Sequence, residues 1–228
     1  MDRRRFLGAS GLAIGIGGLS TGFADRQSKR SSSSPRNSTR TDDTVSAKVD
    51  LHAHLQRGGG QQMADRYAEL GFDVLVGTDH HDDIGVDGSV EAETVGDYSH
   101  LEFPGPILNG VELSASHHVN VIQSDDEMIK QINHPMRYDD TADDINQLAD
   151  RVGADLVEVT ERGEDIQGYP TIADAVEQLD ATPTTTSDAH SPEAVGAGHV
   201  VVEVEELSGD NVIRALKQGR YSLGGRLW

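Results

Sequence analysis

The chain has 228 residues, with 19 Lys+Arg against 39 Asp+Glu, a formal net charge of −20 and 36% hydrophobic residues. That composition supports a packed core and excludes wholesale disorder, and its charge argues against a general binder of DNA or anionic membrane. Cysteine is absent, which excludes disulfides, thiolate metal sites and cysteine nucleophiles. The only lysines are Lys29, Lys48, Lys130 and Lys217. An acid-rich, lysine-poor surface of this kind suits very high salt, where repulsion between carboxylates is screened.

The N-terminus reads Asp2-Arg3-Arg4-Arg5-Phe6-Leu7, followed by an apolar, glycine-rich run to Phe23 and a small-residue end at Ala24. This pattern resembles a twin-arginine export signal. Residues 1–24 are therefore expected to engage the twin-arginine translocase, and the protein to be extracellular or at the cell surface. An uncleaved signal would leave it tethered to the membrane. Residues 25–47, with Ser31 to Ser34 and Pro35, read as a Ser/Thr/Arg-rich disordered linker. The folded unit is expected over residues 48–228.

Within it, strands and helices alternate. Val45, Ala47, Val49 and Leu51 recur with period two and lead into His52-Ala53-His54. Helical spacing of Met63, Tyr67 and Leu70 predicts a helix over 61–70 that stops at Gly71. A strand over 72–76 ends at Thr78-Asp79-His80. Further strands are predicted over 107–113, 119–122 and 129–132, then a helix over 141–152 capped by Thr141 and ended by Gly153. A strand over 155–159, a helix over 171–179, strands over 184–186 and 200–204, and a helix over 210–218 complete the pattern. Such alternation predicts an α/β fold with a mostly parallel sheet.

The polar residues cluster at the predicted strand ends. His52, His54, His80, His118, His134 and His190 all fall there, with Glu112 and Asp188 in similar places. In a barrel of parallel strands, that face is where functional groups converge. His52 and His54 are two apart, so on an extended segment they point to one side and can share an ion. Asp188 and His190 repeat the spacing. Imidazoles mixed with carboxylates, and no thiolates, suit Zn²⁺, Mn²⁺ or Fe²⁺.

Six segments stand in order: Asp50-Leu51-His52-Ala53-His54, Thr78-Asp79-His80, Gly110-Val111-Glu112, His117-His118-Val119-Asn120, Asn133-His134-Pro135 with Arg137-Tyr138, and Ser187-Asp188-Ala189-His190. In these segments the chain resembles the PHP (polymerase and histidinol phosphatase) domain family. The resemblance implies a distorted (β/α)₇ barrel, two or three divalent ions and phosphoester hydrolysis by a metal-activated water. It places His52, His54, Glu112 and Asp188 on one ion, with Glu112 bridging to a second held by His118 and His134. His80 and His190 fall to the remaining ion. Arg137 is implied as the phosphate-gripping guanidinium. His81 is a candidate acid for the leaving group, Arg57 a second phosphate candidate, and Asp79 a carboxylate behind a metal ligand.

Two departures from the family pattern stand out. The Ser-Asp-Gly that family members carry after the His-x-His is replaced by Arg57-Gly58-Gly59-Gly60, so two ions are expected to be firmly held and the third site to be short of a ligand. Few residues separate His118 from His134, too few for two strands and a crossover helix, so the barrel is expected to be trimmed there. The expected substrate is a small phosphomonoester, a nucleotide or sugar phosphate. The alternatives are a 5′→3′ exonuclease or 3′,5′-nucleoside bisphosphate hydrolase acting on nucleotides or short oligonucleotides, and a degenerate, non-catalytic metal-binding domain. With four Phe, one Trp and five Tyr, stacking platforms are scarce, and no extended nucleic-acid surface is expected.

Overall fold

The computed structural model describes residues 44–89, 94–138, 140–160 and 179–225. In chain order the elements are β1 (Val45–Val49), α1 (Gln61–Glu69), β2 (Leu75–Val76), α2 (His81–Ile84), β3 (Ile107–Ser114), β4 (His118–Gln123) and β5 (Met128–Ile132). A 3-10 turn over Pro135–Tyr138 follows, then α3 (Ala142–Val152), β6 (Leu156–Glu158), β7 (Thr182–Thr184), β8 (Gly198–Val204), α4 (Gly209–Lys217) and β9 (Tyr221–Gly225). The first strand begins at Val45, three residues ahead of the expected start of the folded unit. The helix expected over 171–179 lies almost wholly outside the described residues. Among the described residues, no helix is long and apolar enough to cross a membrane.

Local chemistry sets the helix ends. Thr141 caps α3: its side chain accepts from the Asp144 N–H while the Asp144 carboxylate accepts from the Thr141 N–H at 3.0 Å, a reciprocal capping box. Gly153, at φ 69°, closes the same helix in the left-handed conformation. Ser208 caps α4 by accepting from the Asn211 N–H.

Two sheets organise the molecule. The larger has six strands in the order β2-β3-β4-β5-β6-β7, and the smaller has three in the order β1-β8-β9. In the larger sheet β2 pairs with β3, β5 with β6, and β6 with β7 in parallel, but β4 is antiparallel to both neighbours. The mostly parallel sheet expected from the sequence is therefore mixed. The reason is chain length: three residues join β3 to β4 and four join β4 to β5, enough for hairpins and far too few for crossovers. The segment leaving β1 then spans the two ends of the large sheet. Val49 bridges Val74 beside β2, and Ala53 bridges Ala189 beyond β7, both in parallel. Two backbone bonds reinforce this, from the Thr78 N–H to the Ala53 carbonyl and from the His54 N–H to the Ala189 carbonyl, each 2.9 Å.

Three apolar clusters brace this ring. β8 alternates strictly, burying Val200, Val202 and Val204 against Val49, Val76 and the α4 residues Val212, Ile213 and Leu216. On another side α1 packs Met63, Ala64 and Tyr67 against Leu55, Leu75 and Tyr98. On a third, α3 packs Ile145, Leu148 and Val152 against Val119, Ile132 and Val157. The small sheet and these helices cover the apolar faces, while His80, His118 and His190 stay half-buried at the end where the candidate ligands gather.

Gly198, where β8 begins, has no room for a side chain: a Cβ there would lie 2.2 Å from the Thr186 carbonyl oxygen. Only backbone meets it, so relief requires moving the 186–188 segment. Gly198→Ala is expected to destabilise the fold by about 1–3 kcal/mol, lowering Tm by about 2–4 °C per kcal/mol. An unchanged Tm in a thermal melt would show that this segment yields freely.

Candidate metal centre

Six short segments deliver the site. His52 and His54 come from the extended stretch after β1, His80 from the loop after β2, Glu112 from β3, and His134 from just beyond β5. Asp188 and His190 follow β7. His118 arrives differently from expectation: it is the first residue of β4, not the end of a strand. Because β4 runs antiparallel, its start lies at the same end of the sheet as the ends of its parallel neighbours.

The Glu112 carboxylate is the hub. It lies 2.8 Å from His80 Nδ1 and from His118 Nδ1, 3.3 Å from His52 Nε2, and 3.5 Å from His54 Nε2 and His134 Nε2. Asp188 Oδ1 forms a second focus, 3.1 Å from His54 Nε2 and 3.3 Å from His52 Nε2. The His54 and His190 rings stack with centroids 3.9 Å apart. Four groups of three donors sit close enough to hold an ion: His52/Glu112/His134, His52/His54/Asp188, His80/Glu112/His118 and His54/His80/His190. The last contains no carboxylate.

These residues fit divalent cations on an observation independent of the motif. His52 Nε2, Glu112 Oε2, His54 Nδ1 and His134 Nδ1 are buried without a hydrogen bond of acceptable geometry, although Nε2 and Oε2 have oppositely charged neighbours within 3.5 Å. Buried polar atoms are ordinarily satisfied, and groups left this way call for an unseen partner such as an ion.

Charge is arranged to match. Burial opposes ionisation of Glu112, but the neighbouring imidazoles of His52, His118 and His134 overcome it and hold the carboxyl far below its ordinary range. Asp188, disfavoured by burial, is likewise held low by His52 and His54. Burial would lower His52 too, yet Glu112 and Asp188 reverse that and raise it well above the usual imidazole value. Burial pushes His54 down to about 4. The two neighbouring imidazoles are thus pushed in opposite directions, His52 towards its charged form and His54 towards its neutral one.

Around the hub lies a polar frame that the motif reading did not include. Thr184 donates to Gln131 (2.8 Å), Gln131 to Asn133 (3.0 Å), and Asn133 to Glu112 (2.9 Å) and to Asn120 (2.7 Å). Asn120 in turn donates to the Leu51 carbonyl at 2.9 Å. Beneath the His-x-His, Asp50 accepts from the Tyr67 hydroxyl at 2.8 Å, from the Ser187 N–H at 3.1 Å and from the Ser187 hydroxyl. Glu158, at the end of β6, is fully buried beside His52 and His134. A strand-end carboxylate in Val157-Glu158-Val159-Thr160 was the only sequence signal for it.

Other candidates fall outside the cluster. His81 opens α2, and its ring is packed under Gly88, where a Cβ would lie 2.5 Å from Cε1. Asp79 does not back a histidine: it accepts from the Gln56 and Arg57 N–H groups and from Tyr98, pinning the loop after the His-x-His. Arg57 is exposed and faces Asp83 at 3.5 Å. Arg137, on the 3-10 turn, does reach the site, with Nη2 3.5 Å from Asp188 Oδ2.

A family model described as PHP-associated matches residues 172–221, which takes in β7, Asp188-Ala189-His190, β8 and α4 and stops at the first residue of β9. Among the curated proteins none matches. The fold is similar to that of a two-domain protein from Bacteroides vulgatus containing a predicted PHP-like metal-dependent phosphoesterase, at 16% identity and TM-score 0.55, over 80% of this chain and 65% of that one. It is similar also to PsfC from Pseudomonas syringae, at 19% identity and TM-score 0.56, over 79% of this chain and 91% of that one. At such identities the likeness is one of fold, and the chain spans less than two thirds of the Bacteroides protein.

The charge arrangement gives a pH dependence with a definite sign. Glu112 and Asp188 stay ionised and do not compete with a cation, whereas the His52 proton must leave before Nε2 can bind one. Binding of Mn²⁺ or Zn²⁺ should release a proton, and apparent affinity should still climb with pH above the ordinary imidazole range. Calorimetry in two buffers of different ionisation enthalpy reads the proton directly; heats independent of buffer at neutral pH would refute the arrangement.

Proposed function

We propose that this chain is a metal-dependent phosphoesterase that hydrolyses a small phosphomonoester, such as a nucleotide or sugar phosphate. The observation that carries the proposal is the convergence of His52, His54, His80, Glu112, His118, His134, Asp188 and His190 into one cluster of potential ligands, with Arg137 beside Asp188. Two of the donor groups share Glu112 and a third is built on Asp188, which favours two firmly held ions. The all-imidazole group, His54/His80/His190, supplies no negative charge and is the weakest of the four. Bound there, divalent ions would supply Lewis acidity towards a phosphoryl oxygen and towards water.

The protein's own groups then divide the remaining work. Glu112 and Asp188 hold negative charge where cations gather, and their burial keeps competing water away. Arg137 is one-third exposed, so its guanidinium is anchored beside Asp188 and still open to solvent. From there it can take two phosphoryl oxygens in the planar, bidentate manner that suits a phosphate. His81 belongs to none of the donor groups and its half-buried ring lies against Gly88, so it receives no proton-transfer role in this reading. Export by the twin-arginine route belongs to the same reading, supported by Arg3-Arg4 and the apolar run behind them.

Hydrolysis of an aryl phosphate in molar KCl with Mn²⁺ or Zn²⁺ tests the proposal. Turnover should depend on the metal and vanish in Glu112→Ala and His134→Ala; activity retained in either would sink the site. Arg137→Ala should lower kcat/KM by about tenfold or more, the worth of a charge-assisted hydrogen bond, with metal content unchanged. Loss of metal in that variant would make its role structural. Metal bound without turnover would move the assignment to a phosphodiester substrate or to a non-catalytic metal domain.

A further inference from the structure

Glu158 makes three contacts, all inside the molecule. Its Oε2 accepts from the His134 N–H at 2.9 Å and faces His52 Nδ1 at 3.4 Å; its Oε1 accepts from the Thr186 hydroxyl at 2.6 Å. The residue is 0% exposed and ends β6. It belongs to none of the four donor groups.

A carboxylate oxygen already accepting from a peptide N–H presents only acceptor lone pairs to a neighbouring ring nitrogen. His52 Nδ1 must then carry a hydrogen, which leaves Nε2 as the nitrogen able to bind a cation. That Nε2 lies 3.3 Å from both Glu112 Oε1 and Asp188 Oδ1 and has no hydrogen bond of its own. The same carboxylate ties down the backbone of His134, a non-glycine residue at φ 30°, which is a conformation that persists only where surrounding contacts impose it. One buried group thus orients two donors that the same ion would share in the His52/Glu112/His134 group.

We propose that Glu158 is a positioning residue of the metal centre: it fixes His52 with Nδ1 protonated and Nε2 facing the ion, holds the backbone of His134, and so sets metal affinity without touching the metal. Thr186 is the third support, since it keeps the carboxylate turned towards the histidines. The inference rests on the reading of the site as a metal centre and adds the residue that pre-arranges it.

The test uses the full chain and Zn²⁺ alone, with no substrate. Long-range ¹H–¹⁵N spectra of the zinc-loaded protein should show His52 bound through Nε2 and protonated at Nδ1. Glu158→Leu should weaken zinc binding roughly 10–100-fold in a chelator competition, the usual scale for removing the carboxylate behind a metal-binding histidine. Glu158→Gln should lose less than about tenfold, because its amide oxygen can still accept from His52 and His134. Zinc bound through His52 Nδ1 would overturn the proposal, as would a folded Glu158→Leu protein whose affinity stays within about twofold of the unaltered chain. Should Glu158→Leu fail to fold, the spectra of the unaltered and Glu158→Gln proteins decide the question. Failure of the unaltered protein to bind zinc would refute the metal-centre reading itself, an outcome distinct from zinc bound by the wrong nitrogen.

Discussion

Burying the carboxylate of Glu112 is the constraint around which the site is organised. An isolated ion taken out of water costs several kcal/mol even after relaxation, and it persists only where partners surround it. Here five imidazoles and the Asn133 amide do so. Those imidazoles come from the stretch after β1, the loop after β2, the start of β4 and the end of β5, so one charge draws together segments far apart in the chain. The dependence runs both ways. Glu112 and Asp188 favour the charged form of His52, and His52 in turn favours the ionised form of both carboxyls. Removing either sign leaves the other buried and uncompensated, which is why ligand geometry and local stability are the same problem in this protein.

The antiparallel run of β3, β4 and β5 lets so small a sheet surround that charge. A parallel crossover between His118 and His134 would need a dozen or more residues for itself. Two hairpins replace it, and they bring His118 in from the beginning of a strand. The register then sets Glu112 directly opposite Asn120 across the β3–β4 pair, where Asn133 can bond to both. Each link of the chain from Thr184 through Gln131 and Asn133 to Glu112 is a hydrogen bond, which is the condition under which a buried polar network rigidifies a site and does not loosen it.

Much of the site was readable from spacing alone. Histidines two apart on an extended segment must share a side, and His52 and His54 do converge on one oxygen of Asp188. Capping chemistry likewise located α3 to the residue at both ends. What escaped the sequence was whatever depends on the third dimension. The direction of β4 was invisible because a strand pattern carries no polarity. Asp79 and Asp50 look alike as acids beside histidines, yet one grips a loop backbone and the other ties Tyr67 to Ser187. His81 adjoins a candidate ligand in sequence, but α2 begins at it and turns its ring under Gly88. The strand β9 was missed because Tyr221 to Gly225 ends in two glycines, a poor strand signal, and is held in place by pairing with β8.

Backbone conformation links the site to the rest of the fold. His134 at φ 30° and Asp188 at φ 47° are the non-glycine residues with positive φ among the described residues, and both are candidate ligands. Such conformations cost about 1–3 kcal/mol each and need compensation nearby. For His134 it is the bond from its N–H to Glu158. For Asp188 it is the bracket formed by Ser187 on Asp50, the Ala53–Ala189 bridge and the His190 ring on the Asp188 carbonyl. Apart from the His190 ring, itself a candidate ligand, these compensating groups are not metal donors, so most of the support is independent of a bound cation. The strained residues are therefore aimed in advance, and the free energy of ion binding is not spent on bending the chain. That separation, with ligands in one layer and the groups that hold them in another, makes a rigid two-carboxylate, many-imidazole site compatible with a short and strongly acidic chain.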